Sequence, residues 1–391
     1  MPRVRSGSGA RSFHLPAIYT ARVNPSPHAI DWRAFLARPP LARPSPCILD
    51  ALAHARVLIT GAGGSIGSAL ALRLAKEALS GAVLLDASEI HLYQLQQALG
   101  EWGTIASAKF VLGNAGDDTA LDDLFSVQRP RLVFHAAAHK HVPLLERQPW
   151  AAIANNIFAT ETLVAAAVKH GARVVLLSTD KAVQPASVMG ATKRVAEEIV
   201  LRSGGTVLRL GNVLGSSGSV TEIFREQAAR GGPLTVTDAE ARRYFLTMEE
   251  AVDMLLSAAQ AAMNSDAGLV LVPALDADHS VAELAAFVAR RIFAGHELAI
   301  EFTGLRPGDK LTERLWEDDE RVSSAGNGLL LIHSARPEAR DFAGCLAALR
   351  AATRGRDLAA ALAQLGALVP GYRPSESVLA LARNSAPRVC A

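Results

Sequence analysis

Ser178-Thr179-Asp180-Lys181 and the later Met189-Gly190-Ala191-Thr192-Lys193 put hydroxyls, a carboxyl and two amines within a short stretch of chain. A carboxyl beside an amine supplies an acid and a base, the pair needed to take a proton and expel a hydroxyl next to a ketone. Adjacent strand residues point to opposite faces. Here, however, strand gives way to loop at the carboxyl edge of a sheet, so Asp180 and Lys181 are both expected to face a ligand. Met189 and Lys193 stand four residues apart and share a helix face. A phenol at the first position would be acidified by the lysine charge, whereas a thioether has no proton to exchange. Proton traffic then falls to Asp180 and Lys181. For a bare Asp-Lys dipeptide the bland alternative is a solvated salt pair on a loop.

A second cluster lies upstream, in Thr60-Gly61-Ala62-Gly63-Gly64-Ser65-Ile66-Gly67. It follows a β-branched run and opens a helical one, the setting a dinucleotide-binding turn requires. Gly61 and Gly64 let backbone amides approach a pyrophosphate, Ser65 and Ile66 begin the helix that supplies a positive end, and Gly67 allows close packing. No lysine stands at the Walker position, which excludes a P-loop ATPase. Asp86 ends the next strand and can accept from ribose hydroxyls. With no arginine at Ala87, Ser88 or Glu89, NAD is favoured over NADP.

These residues need a sheet to hold them, and the chain supplies one. From Arg56, short apolar runs at Val57 to Thr60, Ala82 to Asp86, Lys109 to Leu112, Leu132 to His135, Val174 to Ser178 and Thr206 to Leu210 alternate with helical stretches. The helices are expected near Ile66 to Glu77, Leu92 to Leu99, Thr119 to Val127, Ile153 to Lys169 and Ala191 to Leu201. Such alternation predicts an α/β, doubly wound parallel sheet. After Gly211 the order loosens: a Gly/Ser loop to Gly218, helices near Ile223 to Ala229 and Met248 to Ala262, and a strand at Leu269 to Val272. Residues 1–50 read as an N-terminal tail or strap broken by Pro39-Pro40 and Pro44-Ser45-Pro46, with one helical turn at Asp31 to Leu36. The expected division is 1–50 extension, 51–211 nucleotide domain, 212–320 interleaved substrate lobe and 321–391 helical extension, the last with helices at Phe342 to Ala352 and Leu358 to Leu365.

Composition narrows the function class. Half of the 391 residues are hydrophobic and the net charge is only +2, with basic residues scattered, so nucleic acid is not an expected partner. Cys47, Cys345 and Cys390 lack disulfide or zinc spacing, which fits a reducing, cytoplasmic compartment. The opening residues carry Arg3, Arg5, Arg11 and Arg22 without an apolar run long enough for a signal peptide or a membrane span. His135, His139 and His141 form a string read as packing or ligand-lining residues rather than a metal site.

Taken together, Phe134 to Ala138, Lys140 to Pro143, Ser178 to Val183, Val188 to Arg194, Gly211 to Ser216 and Leu305 to Leu311 resemble the nucleotide-sugar 4,6-dehydratases of polysaccharide biosynthesis, within the extended short-chain dehydrogenase/reductases. The resemblance covers roughly residues 55 to 320, with an echo in Val369 to Pro374. It implies UDP-N-acetylglucosamine as substrate, UDP-2-acetamido-2,6-dideoxy-4-hexulose as product and NAD as a recycled cofactor. Thr179 would then bond the C4 oxygen, Asp180 act as acid, Lys181 as base, and Lys193 orient the nicotinamide ribose. Met189 stands where a tyrosine is usual, as in the branch that retains configuration at C5. Ala136 and Ala137 join the cofactor contacts, and Asn114 replaces a common aspartate near adenine. Lys140, Asn212, Arg243 and Arg306 are expected to hold the UDP-sugar, arginine because its planar fork suits a diphosphate. Lys310 is read as a brace for its loop. His139 and Asp309 depart from the family's tyrosine and glutamate. A homo-oligomer is expected. The alternatives are a nucleotide-sugar 4-epimerase, which needs no eliminating acid and base, and a non-catalytic dinucleotide sensor, which Met189 favours.

Overall fold

The β-branched runs form strands because helices cover the sheet on both faces, which rewards continuous rather than alternating apolar residues. The computed structural model describes residues 30–76, 81–101, 108–292, 298–333 and 341–385. Among them, nine strands make the main sheet: β1 (Val57–Thr60), β2 (Ala82–Asp86), β3 (Ala108–Leu112), β4 (Leu132–His135), β5 (Arg173–Thr179), β6 (Thr206–Leu210), β7 (Leu269–Pro273), β8 (Arg321–Gly326) and β9 (Leu329–His333). Their order is β8-β9-β7-β6-β5-β4-β1-β2-β3. Strands β1 to β7 pair in parallel, and β9 runs antiparallel to both β7 and β8. The order reverses between β1 and β4, which opens the crevice where doubly wound folds take a dinucleotide.

Helix Met248–Asn264 packs on Ser65–Lys76 and on β5 and β6, while Asp118–Gln128, Pro149–Lys169 and Val188–Arg202 pack side by side. Pro149–Lys169 is long and apolar enough to cross a membrane by those two measures, yet 56% of its apolar window is buried within the fold. A smaller core of Leu36, Phe224, Leu234, Val236, Phe245, Leu284 and Val288 marks the second lobe. Short strand pairs link it to the nucleotide half at Asn212–Val213 with Phe245–Leu246.

Several expectations need correction. Pro46 does not end helical structure but starts it: Pro46–Ala53 is a helix with proline in its first turn, where the missing N–H has no bond to lose. Ile48 and Leu52 bury into the main core, so a boundary at 50 cuts through this helix. The helical extension expected from 321 begins instead with the hairpin β8–β9, turning at Gly326, Asn327 and Gly328, all with positive φ. Helices Val142–Arg147, Val281–Ile292 and Glu376–Ser385 were also unanticipated. Residues 1–29, with Arg3, Arg5, Arg11 and Arg22, lie outside the described residues, as do Glu77 and Cys390.

Candidate active site

The glycine turn is built by close approach. Gly61 has φ +67°, and a Cβ there would lie 2.7 Å from the Ala137 backbone; one on Gly67 would lie 2.1 Å from the Gly61 carbonyl. The turn therefore brings Gly61 against Ala136 and Ala137 and places Gly64, Ser65 and Ile66 at the start of helix Ser65–Lys76. Asp86 braces it, accepting from the Gly63 amide at 2.8 Å and the Ser88 amide at 2.8 Å. Asn114 folds back on its own loop, its Oδ1 accepting from the Gly116 amide. Ser65 Oγ accepts from the Ser217 amide, and Lys140 Nζ donates to the Ser217 carbonyl, so the 215–218 loop bridges the two.

His135 is buried between Thr60 Oγ1 (2.7 Å) and Thr160 Oγ1 (2.9 Å), tying β1 and β4 to helix Pro149–Lys169. Burial, with the Lys193 charge adding to it, pulls its pKa down to about 3, so the ring is neutral. His139 and His141 are exposed. Asn156, within a π-helical stretch Ile153–Phe158, accepts from the His139 amide and donates to the His139 carbonyl and to Thr192 Oγ1. It fixes the loop carrying Ala136 and Lys140.

Strand β5 delivers Thr179 in extended conformation, and Asp180–Ala182 then forms a single 3-10 turn. Helix Val188–Arg202, capped by Ser187, begins directly beneath; a Cβ on Gly190 would lie 2.3 Å from the Lys181 carbonyl. Lys181 Nζ is held by Asp180 Oδ1 (3.0 Å) and Asn212 Oδ1 (2.9 Å), with Glu313 Oε1 at 3.8 Å. Burial alone would lower the Lys181 pKa, but Asp180 and then Glu313 outweigh it and raise it. Thr179 Oγ1 donates to Asp180 Oδ1 at 2.8 Å. Asp180 is wholly enclosed, and its Oδ2 has no partner among the described residues. Against the expectation that both side chains open outward, the 3-10 turn points Asp180 inward, behind Thr179 and a part-exposed Lys181.

Lys193 Nζ donates to the Leu177 carbonyl at 2.8 Å, and burial, opposed by Glu197, brings its pKa down to about 8. Met189 is 3% exposed and belongs to the main core, so it offers no group to the site. Behind Lys193 lies a network that sequence reasoning passed over. Glu197 accepts from Ser178 Oγ at 2.6 Å and from Arg209 Nε and Nη2, both side chains being fully buried. Burial raises the Glu197 pKa, but Arg209 and Arg194 outweigh it, and the group stays ionised.

The residues nominated for the sugar nucleotide divide. Asn212 sits on Lys181, at the centre. Arg243 is buried and spends three N–H bonds on the carbonyls of Arg242, Lys310 and Leu311, which a buried guanidinium must do to satisfy its donors. Arg306 is half-exposed and paired with Asp309 at 2.8 Å. Lys310 does brace its loop, donating to the Val183 carbonyl (2.9 Å).

The family model described as polysaccharide biosynthesis protein matches residues 57–333. The capsular polysaccharide biosynthesis protein CapD of Staphylococcus aureus is 38% identical over 296 residues, 73% of this chain and 49% of CapD; the chain thus spans about half of that relative. A UDP-glucose 4-epimerase of Rickettsia typhi is 32% identical over 282 residues, 68% of this chain and 79% of the epimerase. Among solved structures, Pen from Bacillus thuringiensis superimposes with a TM-score of 0.64 at 28% identity, over 72% of this chain and 88% of Pen.

Proposed function

This chain belongs to the polysaccharide biosynthesis protein family, and on that premise we propose that it is an NAD-dependent nucleotide-sugar 4,6-dehydratase. The substrate in this reading is UDP-N-acetylglucosamine and the product UDP-2-acetamido-2,6-dideoxy-4-hexulose, with configuration at C5 retained. The observation that carries it is the contact between Lys181 Nζ and Asp180 Oδ1, beside Thr179 at the end of β5. A 4-epimerase needs no such pair; an elimination does.

The turn at Gly61, Gly64 and Gly67, with Asp86, Ala136, Ala137 and Lys193, fits a dinucleotide, since it opens helix Ser65–Lys76 at the crevice between β1 and β4, where the helix end favours a pyrophosphate. Bound NAD supplies a reversible store for the hydride that leaves C4 and returns to C6. The chain's own residues handle the protons. Thr179 bonds the C4 oxygen, and oxidation there makes the C5 proton acidic. Lys181, as a neutral amine, takes that proton, while a proton from Asp180 converts the C6 hydroxyl into departing water. The resting ion pair holds one proton on nitrogen, and moving it along the 3.0 Å contact gives the neutral amine and carboxylic acid that elimination consumes. Elimination restores the ion pair; the Lys181 ammonium then gives its proton back to C5 as C6 is reduced, and the amine is recharged by the proton that C4 oxidation released to water. Because Asp180 is enclosed and Lys181 is occupied as the base, the Asp180 proton reaches the sugar by way of the Thr179 hydroxyl, which is bonded to its Oδ1. Lys140, Arg243 and Arg306 are the cations for the diphosphate, with Asn212 near the sugar.

Incubating the purified protein with UDP-N-acetylglucosamine tests this directly: the expected product is lighter by one water. Bound NAD without turnover would sink the reading and favour a dinucleotide sensor. Asp180→Asn should stop elimination and leave cofactor bound. A product of unchanged mass inverted at C4 would instead support epimerase activity, a second reading that the Rickettsia relative keeps open.

A further inference from the structure

Glu313 has no part in the chemistry above, yet its carboxylate lies between two lysines in the interior. Oε1 is 3.8 Å from Lys181 Nζ and Oε2 is 2.5 Å from Lys310 Nζ, with 2% of the side chain exposed. The loop that carries it is clamped independently. Lys310 Nζ donates to the Val183 carbonyl, Arg243 takes the Lys310 and Leu311 carbonyls, and Gly308 packs without a Cβ against Ser187, Val142 and Glu146. Along this line acidic and basic side chains alternate, Asp180, Lys181, Glu313 and Lys310; burial pushes the Glu313 carboxyl up, and the lysines on either side of it work against that rise. Arg243 is the other cation facing Lys181, and Tyr244 is the other titratable group facing Asp180.

We propose that Glu313 is a positioning residue for Lys181, its carboxylate fixed by Lys310 so that it aims the Lys181 amine and sets how readily that amine gives up its proton. The proposal rests on the dehydratase reading for its catalytic meaning, though not for its electrostatics. An ammonium with carboxylates on two sides is held charged, and elimination requires it neutral. Glu313 opposes neutralisation, while Lys310, by drawing the Glu313 charge to itself, relieves that opposition. A plain loop brace would need no carboxylate beside Lys181; Lys310 already holds Val183.

The chain has only seven lysines, at 76, 109, 140, 169, 181, 193 and 310, so protein labelled with 13C at the lysine ε-carbon permits each to be followed by NMR. Lys181 is identified by the signal lost in Lys181→Arg. In Glu313→Gln the Lys181 titration midpoint is expected to fall by about one to three pH units, the range for losing an opposite charge at such a distance. Lys310→Met should move it upward, and Glu313→Asp should restore most of the wild-type value. If turnover is present, the alkaline limb of kcat, where the Asp180–Lys181 pair loses its single proton, should shift in the same directions, which a merely structural role would not produce. A midpoint unmoved in both Glu313→Gln and Lys310→Met overturns the inference, whatever the activity. Should the midpoint move while wild-type protein forms no dehydrated product, the electrostatic role stands and the dehydratase reading fails.

Discussion

Gly190→Ala should disable the site while leaving the cofactor half intact. The added Cβ would sit 2.3 Å from the Lys181 carbonyl, 3.2 Å from its carbonyl carbon and 3.0 Å from Pro185 Cβ. Ordinary contact begins near 3.4 Å, so helix Val188–Arg202 and the Asp180–Ala182 turn must separate by about 1 Å. Overpacking of this kind costs about 1–3 kcal/mol of stability. The larger effect is on chemistry: a 1 Å misplacement of reacting groups costs on the order of 100-fold in rate. The expected result is therefore a kcat for the dehydrated product lower by about two orders of magnitude, with a modestly lower urea midpoint and unchanged bound NAD, because the Gly61–Gly67 turn is elsewhere. Gly366→Ala provides the control. Nothing lies within 4 Å of its Cβ position, so this helical glycine should gain about 0.5–1 kcal/mol without altering turnover. Wild-type kcat in Gly190→Ala would refute the idea that the pressed turn sets the positions of Asp180 and Lys181.

Other consequences are equally open to measurement. Arg209→Met leaves the Glu197 carboxylate buried without its main partner and should cost about 3–5 kcal/mol by urea unfolding; adding Glu197→Leu should recover much of that, and additive losses would contradict the pairing. Gly67→Ala, whose Cβ would sit 2.1 Å from the Gly61 carbonyl, should purify without NAD and fail to take it up in equilibrium dialysis, whereas retention would show that the turn tolerates a side chain. Lys193 has a folded pKa brought down to about 8 from 10.5, so the unfolded chain binds more protons between those values and stability rises with pH there. The burial penalty is full below about 8 and relieved as pH approaches 10.5. Wild-type protein should accordingly gain stability relative to Lys193→Met across that window, and a flat difference would show that the ammonium is not desolvated.

The nucleotide half was legible because its information is local. A strand, a glycine turn and a helix follow one another within twenty residues, and Asp86 ends the next strand, where its carboxylate holds the turn. What failed to show involved distant partners or the far side of the sheet. Arg209 lies in the apolar run Thr206–Leu210 with no local sign of a partner: every residue of β6 is buried, and the Glu197 that pairs with it comes from a helix. The spacing of Glu197, one turn after Lys193, was the available hint. Glu313 approaches Lys181 through a loop more than a hundred residues away, which no window can detect, although its place three residues after Lys310 is visible in the sequence. The Gly326-Asn327-Gly328 turn before an apolar run was a readable hairpin sign. It was obscured because Arg321–Gly326 is polar and entirely exposed.

Met189 changes meaning once these contacts are known. From its place in the M-x-x-x-K spacing it suggests a catalytic slot left vacant, but its side chain is part of the main core and only 3% exposed. A phenol in that orientation would need a hydrogen-bond partner for its hydroxyl or suffer the cost of an unsatisfied polar group. The helix is not idle for want of the phenol. Its Gly190 admits the Lys181 backbone, its Lys193 holds the end of β5 through Leu177, and its Glu197 holds Ser178. All three act on the same five-residue segment, Leu177 to Lys181, that ends in Asp180 and Lys181. The helix thus positions an acid and a base instead of supplying one, and in the proposed reaction a single proton shared by that pair is enough to start the elimination.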